Sequence, residues 1–110
     1  MLKTLIILSS FLFCISCTKQ KNFNSVEWKN WTETEMNPNT RWLMSNDLLE
    51  TYDLKKYSKD KIFDLLGKPT VENKNEYRYF LGTTGNGISI GTLVLSFKND
   101  TIIKVEIIEG

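Results

Sequence analysis

Residues 92–108 read Thr92-Leu93-Val94-Leu95-Ser96-Phe97-Lys98-Asn99-Asp100-Thr101-Ile102-Ile103-Lys104-Val105-Glu106-Ile107-Ile108. Two runs rich in β-branched and aromatic side chains flank the pair Asn99-Asp100. Alternation on both sides of a two-residue turn predicts an antiparallel hairpin, with strands over 92–98 and 101–108. Upstream, Tyr77-Arg78-Tyr79-Phe80-Leu81 has the same character and predicts a strand before them. The connection Gly82-Thr83-Thr84-Gly85-Asn86-Gly87 is glycine-rich. A phosphate cradle needs a helix N-terminus after its glycines, and here another strand follows. Three sequential strands with short links imply an antiparallel meander.

Side-chain parity then sorts the residues between two faces. Tyr77, Tyr79, Leu81, Leu93, Leu95, Phe97, Ile103, Val105 and Ile107 share one face. It is wholly apolar or aromatic, so helices are expected to cover it. Arg78, Phe80, Thr92, Val94, Ser96, Ile102, Lys104, Glu106 and Ile108 share the other. Phe80, Val94, Ile102 and Ile108 are more apolar than a solvated face requires. They form either an exposed patch of the kind that marks partner sites or a surface covered by the Trp28–Trp31 segment folding back.

Two helices precede the strands. Pro38 and Asn39-Thr40 punctuate the start of the first, expected over 41–51, with Arg41, Met44, Leu48 and Tyr52 on one stripe and Trp42, Ser45 and Leu49 on another. Ser58 is a good N-cap for the second, expected over 59–66. Gly67 terminates it by taking the left-handed C′ conformation cheaply, and Pro69 blocks its continuation. Residues 18–25, Thr-Lys-Gln-Lys-Asn-Phe-Asn-Ser, are polar and read as a flexible tether. Trp28, Trp31 and Trp42 lie around the join of tether and domain. Packed, they extend a small core; exposed, they suit a protein interface or a headgroup region. The size of the domain favours packing.

The chain begins with Lys3, then the apolar run from Leu5 to Ile15, then Ser16 and Cys17. The run is too short to span a bilayer, which needs roughly 18 or more apolar residues, and it fits a signal-peptide core. A small residue followed by cysteine resembles the processing site of bacterial lipoproteins, although Cys14 stands where that pattern usually has leucine; an ordinary secretory signal cleaved near Ser16 is the alternative. The resemblance implies a lipoprotein signal peptide over 1–16, a lipidated Cys17 followed by a tether with the tryptophan segment over 17–40, and a small α+β domain over 41–110. The membrane is then a partner through the N-terminal lipid. Removing residues 1–16 takes one basic side chain, Lys3, from the 14 and none of the 13 acidic ones, so the remainder balances at 13 each. A neutral domain lacks the basic footprint that nucleic acid demands. The two cysteines are both consumed by the signal, so stability comes from packing without disulfides.

The chain contains no histidine, which removes the usual general base and the commonest metal ligand. With Cys17 lipidated no thiol remains for catalysis or metal binding. Asp60 and Asp64 lie one helical turn apart, but Lys61 and Lys68 are close in sequence, and a solvated face accounts for them. No catalytic residue, metal-binding set or cofactor motif emerges, and an enzyme is not expected.

The stretch Lys61-Ile62-Phe63-Asp64-Leu65-Leu66-Gly67-Lys68-Pro69, the aromatic strand Tyr77–Gly82 and the run Leu93–Phe97 before its turn resemble the SmpA/OmlA family. These are the small BamE-type lipoproteins of the outer-membrane β-barrel assembly machinery. The resemblance spans about residues 41–110 plus the anchor. It implies an α+β fold with two short helices packed on one face of a three-stranded antiparallel meander. It also implies a scaffolding or protein-binding role at the outer membrane, facing the periplasm where the source is Gram-negative. The alternative is an immunity or inhibitor lipoprotein that blocks a toxin or hydrolase in the envelope. The candidate partner-binding residues are Trp28, Trp31, Phe80, Val94, Ile102 and Ile108.

Overall fold

The computed structural model describes residues 20–84 and 89–110. Cys17, the expected signal peptide over 1–16 and Gly85–Gly87 of the glycine-rich connection lie outside them. The architecture is α+β: three helices and a short 3-10 turn on one side of a four-stranded antiparallel sheet. The helices are α1 (Ser25–Asn30), α2 (Thr40–Thr51) and α3 (Lys59–Leu66), with the 3-10 turn at Leu54–Lys56 between the last two. The strands are β1 (Val71–Asn73), β2 (Glu76–Thr83), β3 (Ile90–Lys98) and β4 (Thr101–Glu109), in the order β1-β2-β3-β4. The expectation of two helices and three strands is therefore one helix and one strand short. The helix α1 is only six residues long, and β1 is three exposed residues joined to β2 by a turn in which the Asn73 side chain accepts from the Asn75 N–H.

Helix α3 forms as the sequence dictates. The Ser58 hydroxyl accepts from the Lys61 N–H, and Gly67 closes the helix at φ 79° with its N–H on the Phe63 carbonyl. Its last turn leaves carbonyls without intrahelical partners, and the N-terminal segment supplies donors for them. The Ser25 hydroxyl donates to the Leu65 carbonyl at 2.6 Å and the Lys29 ammonium to that of Asp64 at 2.9 Å. The Tyr79 hydroxyl reaches across from the sheet to the Gly67 carbonyl at 2.8 Å.

The described part of the segment expected as a flexible tether (18–25) is instead held against the domain. From Gln20 onward the chain is docked. The Lys21 N–H donates to the Leu43 carbonyl and the Phe23 N–H to the Asp47 carboxylate. The Asn24 side chain caps α1 by accepting from the Glu27 N–H. Trp28, on that helix, is completely buried, with its ring against Phe23 and Tyr79. A domain without disulfides gains about 1.5–3 kcal/mol from each large side chain it buries, and Trp28 joins Met44, Leu48, Ile62 and Leu66 in that layer.

Sheet register corrects the parity reading at one place. Ser96 pairs with Lys104 but Phe97 pairs with Ile102, so an extra residue is accommodated at Ile103. This bulge turns Ile102 into the core, 3% exposed, and leaves Ile103 55% exposed. The Asn99-Asp100 turn beside it has Asn99 at φ 60°, a conformation asparagine tolerates better than most residues. A second irregularity lies between Phe80 and Gly82. Gly82 has φ 93°, and a Cβ there would lie 2.2 Å from the Pro38 carbonyl oxygen. Only glycine lets the start of α2 approach the bulged strand so closely.

Candidate interaction surface

The outer face of the sheet, away from the helices, divides into two halves. Across the strands, Arg78, Val94 and Glu106 form one row, and Glu76, Ser96 and Lys104 form the next. Glu76 pairs with Arg78 at 2.9 Å and Lys104 with Glu106 at 3.1 Å. The hydrogen bond that Arg78 donates to Glu76, reinforced by the carboxylate charge, holds the Arg78 guanidinium above its ordinary pKa. These pairs are solvent-exposed and screened, so their main physical effect is cover: long aliphatic stems lie over the sheet while the charged heads stay in water. Val94 at the centre is only 2% exposed.

Beyond that half the charges stop. The next row is Phe80, Thr92 and Ile108. Ile108 is 40% exposed, and Val71 and Ile90 are exposed on neighbouring strand positions. A shallow hollow of about 230 Å³ is lined by Thr70, Val71, Arg78, Phe80 and Thr92. The half-buried ring of Trp31 stacks on Phe80, with centroids 5.8 Å apart and planes at 25°. The tryptophan segment thus folds back over one edge of this strip and leaves Ile108 open.

Arg41 holds that fold-back in place. Its guanidinium lies 5.0 Å from the Trp28 ring centroid and 5.5 Å from that of Trp31. Its Nε–H donates to the Trp28 carbonyl at 3.0 Å and an Nη1–H to the Phe80 carbonyl at 3.2 Å. Burial pushes its pKa below the ordinary value, yet a guanidinium remains charged under all ordinary conditions. Cation–π contact and two backbone acceptors replace a carboxylate partner here. One polar atom of the cluster is not accommodated: the buried Trp28 indole N–H has no hydrogen-bond partner.

Of the six residues expected at a partner surface, Trp31, Phe80 and Ile108 come together at the apolar end of the outer face. Trp28, Val94 and Ile102 do not present themselves. Trp28 faces the core from α1, Val94 lies beneath the charged pairs, and Ile102 is turned inward by the bulge. The strip gains Val71 and Ile90, which sequence reading missed because β1 and the first residues of β3 were not recognised as strand. Arg41 was visible only as a polar member of a helical stripe, and nothing in its neighbours signals the cage of rings around it.

Asp60 is exposed, as is Asp64, whose carbonyl rather than its carboxylate is engaged. Among the described residues no three of the cysteine, aspartate and glutamate side chains gather as a metal site. No helix among them is long and apolar enough to cross a membrane. Comparison of the chain with protein-family models, with curated proteins and with solved structures returns no match.

Proposed function

We propose that this chain is a non-catalytic, lipid-anchored protein of the cell envelope that binds another protein, through the apolar end of its outer sheet face. The lipid is carried by Cys17. The observation behind the anchor is the sequence Lys3, a short apolar run, Ser16 and Cys17. The surface is supported by the row Phe80–Thr92–Ile108, flanked by Trp31 and Val71, on a face whose other half is covered by charge. Exposed apolar patches mark partner sites, and tryptophan is enriched at the energetic centres of interfaces.

Kinship with the BamE-type lipoproteins is part of the proposal, with a periplasm-facing position at the outer membrane of a Gram-negative cell. The order of elements supports it, as does the burial of Ile62 and Leu66 from the helix that ends in Leu-Leu-Gly-Lys-Pro. The additional helix α1 and strand β1 depart from the simple pattern.

The test is photocrosslinking in cells from a reactive residue placed at Ile108, with Lys98 as the control position. A discrete crosslinked partner from 108 and none from 98 supports the proposal, and its loss in Phe80→Ala strengthens it. Barrel-assembly components among the products indicate scaffolding; a single secreted toxin or hydrolase indicates inhibition instead. No product from 108 while the protein remains folded and membrane-bound removes the binding surface.

A further inference from the structure

We propose that the end of the domain around Gln20, Trp42 and Asn46 faces the lipid headgroups, so the anchor fixes which side of the protein meets the membrane. This rests on lipidation of Cys17. The reach of the chain limits the geometry. Lys21 is bonded through its N–H to the Leu43 carbonyl at 3.0 Å, and its ammonium meets Glu27 at 3.0 Å. Phe23 follows, bonded through its N–H to Asp47 at 2.8 Å. Lys21 is four residue steps beyond Cys17, and a fully extended chain of that length spans at most about 14 Å. The headgroup zone is itself roughly 5–8 Å thick on each side of the bilayer. Lys21, and with it the first turn of α2, therefore stays within roughly 10 Å of the headgroups. The Lys98–Thr101 turn lies at the other end of β3, about 25 Å along the strand from Ile90.

The surface at that end has the corresponding chemistry. A groove of about 600 Å³ is lined by Gln20, Asn39, Trp42, Asn46 and Ile107, together with Leu43 and Ser45. None of these side chains is charged, so nothing in the groove repels a phosphodiester. Amide groups offer donors to headgroup oxygens, and a half-buried tryptophan suits the interfacial layer. Gly91 makes room for that ring: a Cβ there would sit 2.7 Å from the Trp42 ring. The apolar strip lies at the same end of the strands but on the opposite face of the sheet, where Ile108 follows the groove residue Ile107.

The full mature lipoprotein, reconstituted in phosphatidylethanolamine/phosphatidylglycerol vesicles, tests this. A fluorophore is placed at Asn46→Cys or, separately, at Asp100→Cys; both positions are exposed, and an acylated Cys17 has no free thiol to label. Quenching by a headgroup-attached nitroxide lipid is expected to be several-fold stronger at 46 than at 100. Co-flotation with vesicles but equal or reversed quenching overturns the orientation and leaves the anchor intact. Failure to co-float overturns the anchor and the orientation with it.

Discussion

On the helix side of the sheet Tyr79, Leu81, Leu93 and Leu95 are all fully buried, whereas on the outer side of the same strands Val94 alone approaches that state. The two faces reach burial by different means. The inner face is covered by three helices whose apolar residues interlock with it. Among the described residues no further layer covers the outer face, and charged pairs shelter Val94 with their stems while Phe80 receives one ring from Trp31. Continuous cover from other elements gives stability, while partial cover by a few side chains leaves apolar area for contact with another molecule. The N-terminal segment joins the two. It puts Trp28 into the inner layer and Trp31 over the edge of the outer one, with Arg41 between the rings.

Several substitutions can break or sharpen that contrast. The largest effect is expected from Trp28→Ala, which empties the inner layer and removes a ring from Phe23, Tyr79 and Arg41. A loss of about 3–5 kcal/mol in urea unfolding is expected for an aromatic truncated in a core. A loss near zero would mean that α1 is not part of the domain. Next comes the neighbouring pair at the bulge. Ile102→Ala should lose about 2–5 kcal/mol, and Ile103→Ala should stay within about 0.5 kcal/mol of wild type. The reverse order would restore uninterrupted alternation in β4. Gly82→Ala forces a Cβ against the Pro38 carbonyl from a left-handed backbone, and overpacking of this kind typically costs about 1–3 kcal/mol.

The smallest effect is one of pH. Burial raises the Tyr79 phenol well above its ordinary pKa of 10, and burial raises Tyr77 in the same direction. Unfolded tyrosines release their protons near pH 10, and the folded ones only at higher pH. The contribution is therefore fully present below pH 10 and is lost as pH rises through the folded values. Thermal melts between pH 8 and 11 should show stability falling only above about pH 10. Tyr79→Phe should flatten that decline.

Much of the inner face was legible because its signals are local. Ser58 and Gly67 bracket α3 with cap chemistry, and alternation over Tyr77–Leu81 and Leu93–Phe97 needs no tertiary information. The failures have physical causes. A single-residue bulge reverses parity at Ile102 and Ile103, and periodicity contains no warning of it beyond the adjacent turn. The helix α1 is too short for a periodic pattern, although Asn24 and Glu27 have the spacing of a capping pair. The candidate surface was half legible: Phe80 and Ile108 followed from parity. The burial of Val94 depends on how Arg78 and Glu106 lie across the strands, which is a property of the assembled sheet.

The proposed location and orientation both depend on the proposed anchor at Cys17, and mass spectrometry of the N-terminal peptide from envelope-purified protein tests it most directly. The predicted result is a chain beginning at Cys17 with a diacylglyceryl group on its sulfur. A free Cys17 thiol, or a chain that retains residues 1–16, would contradict it.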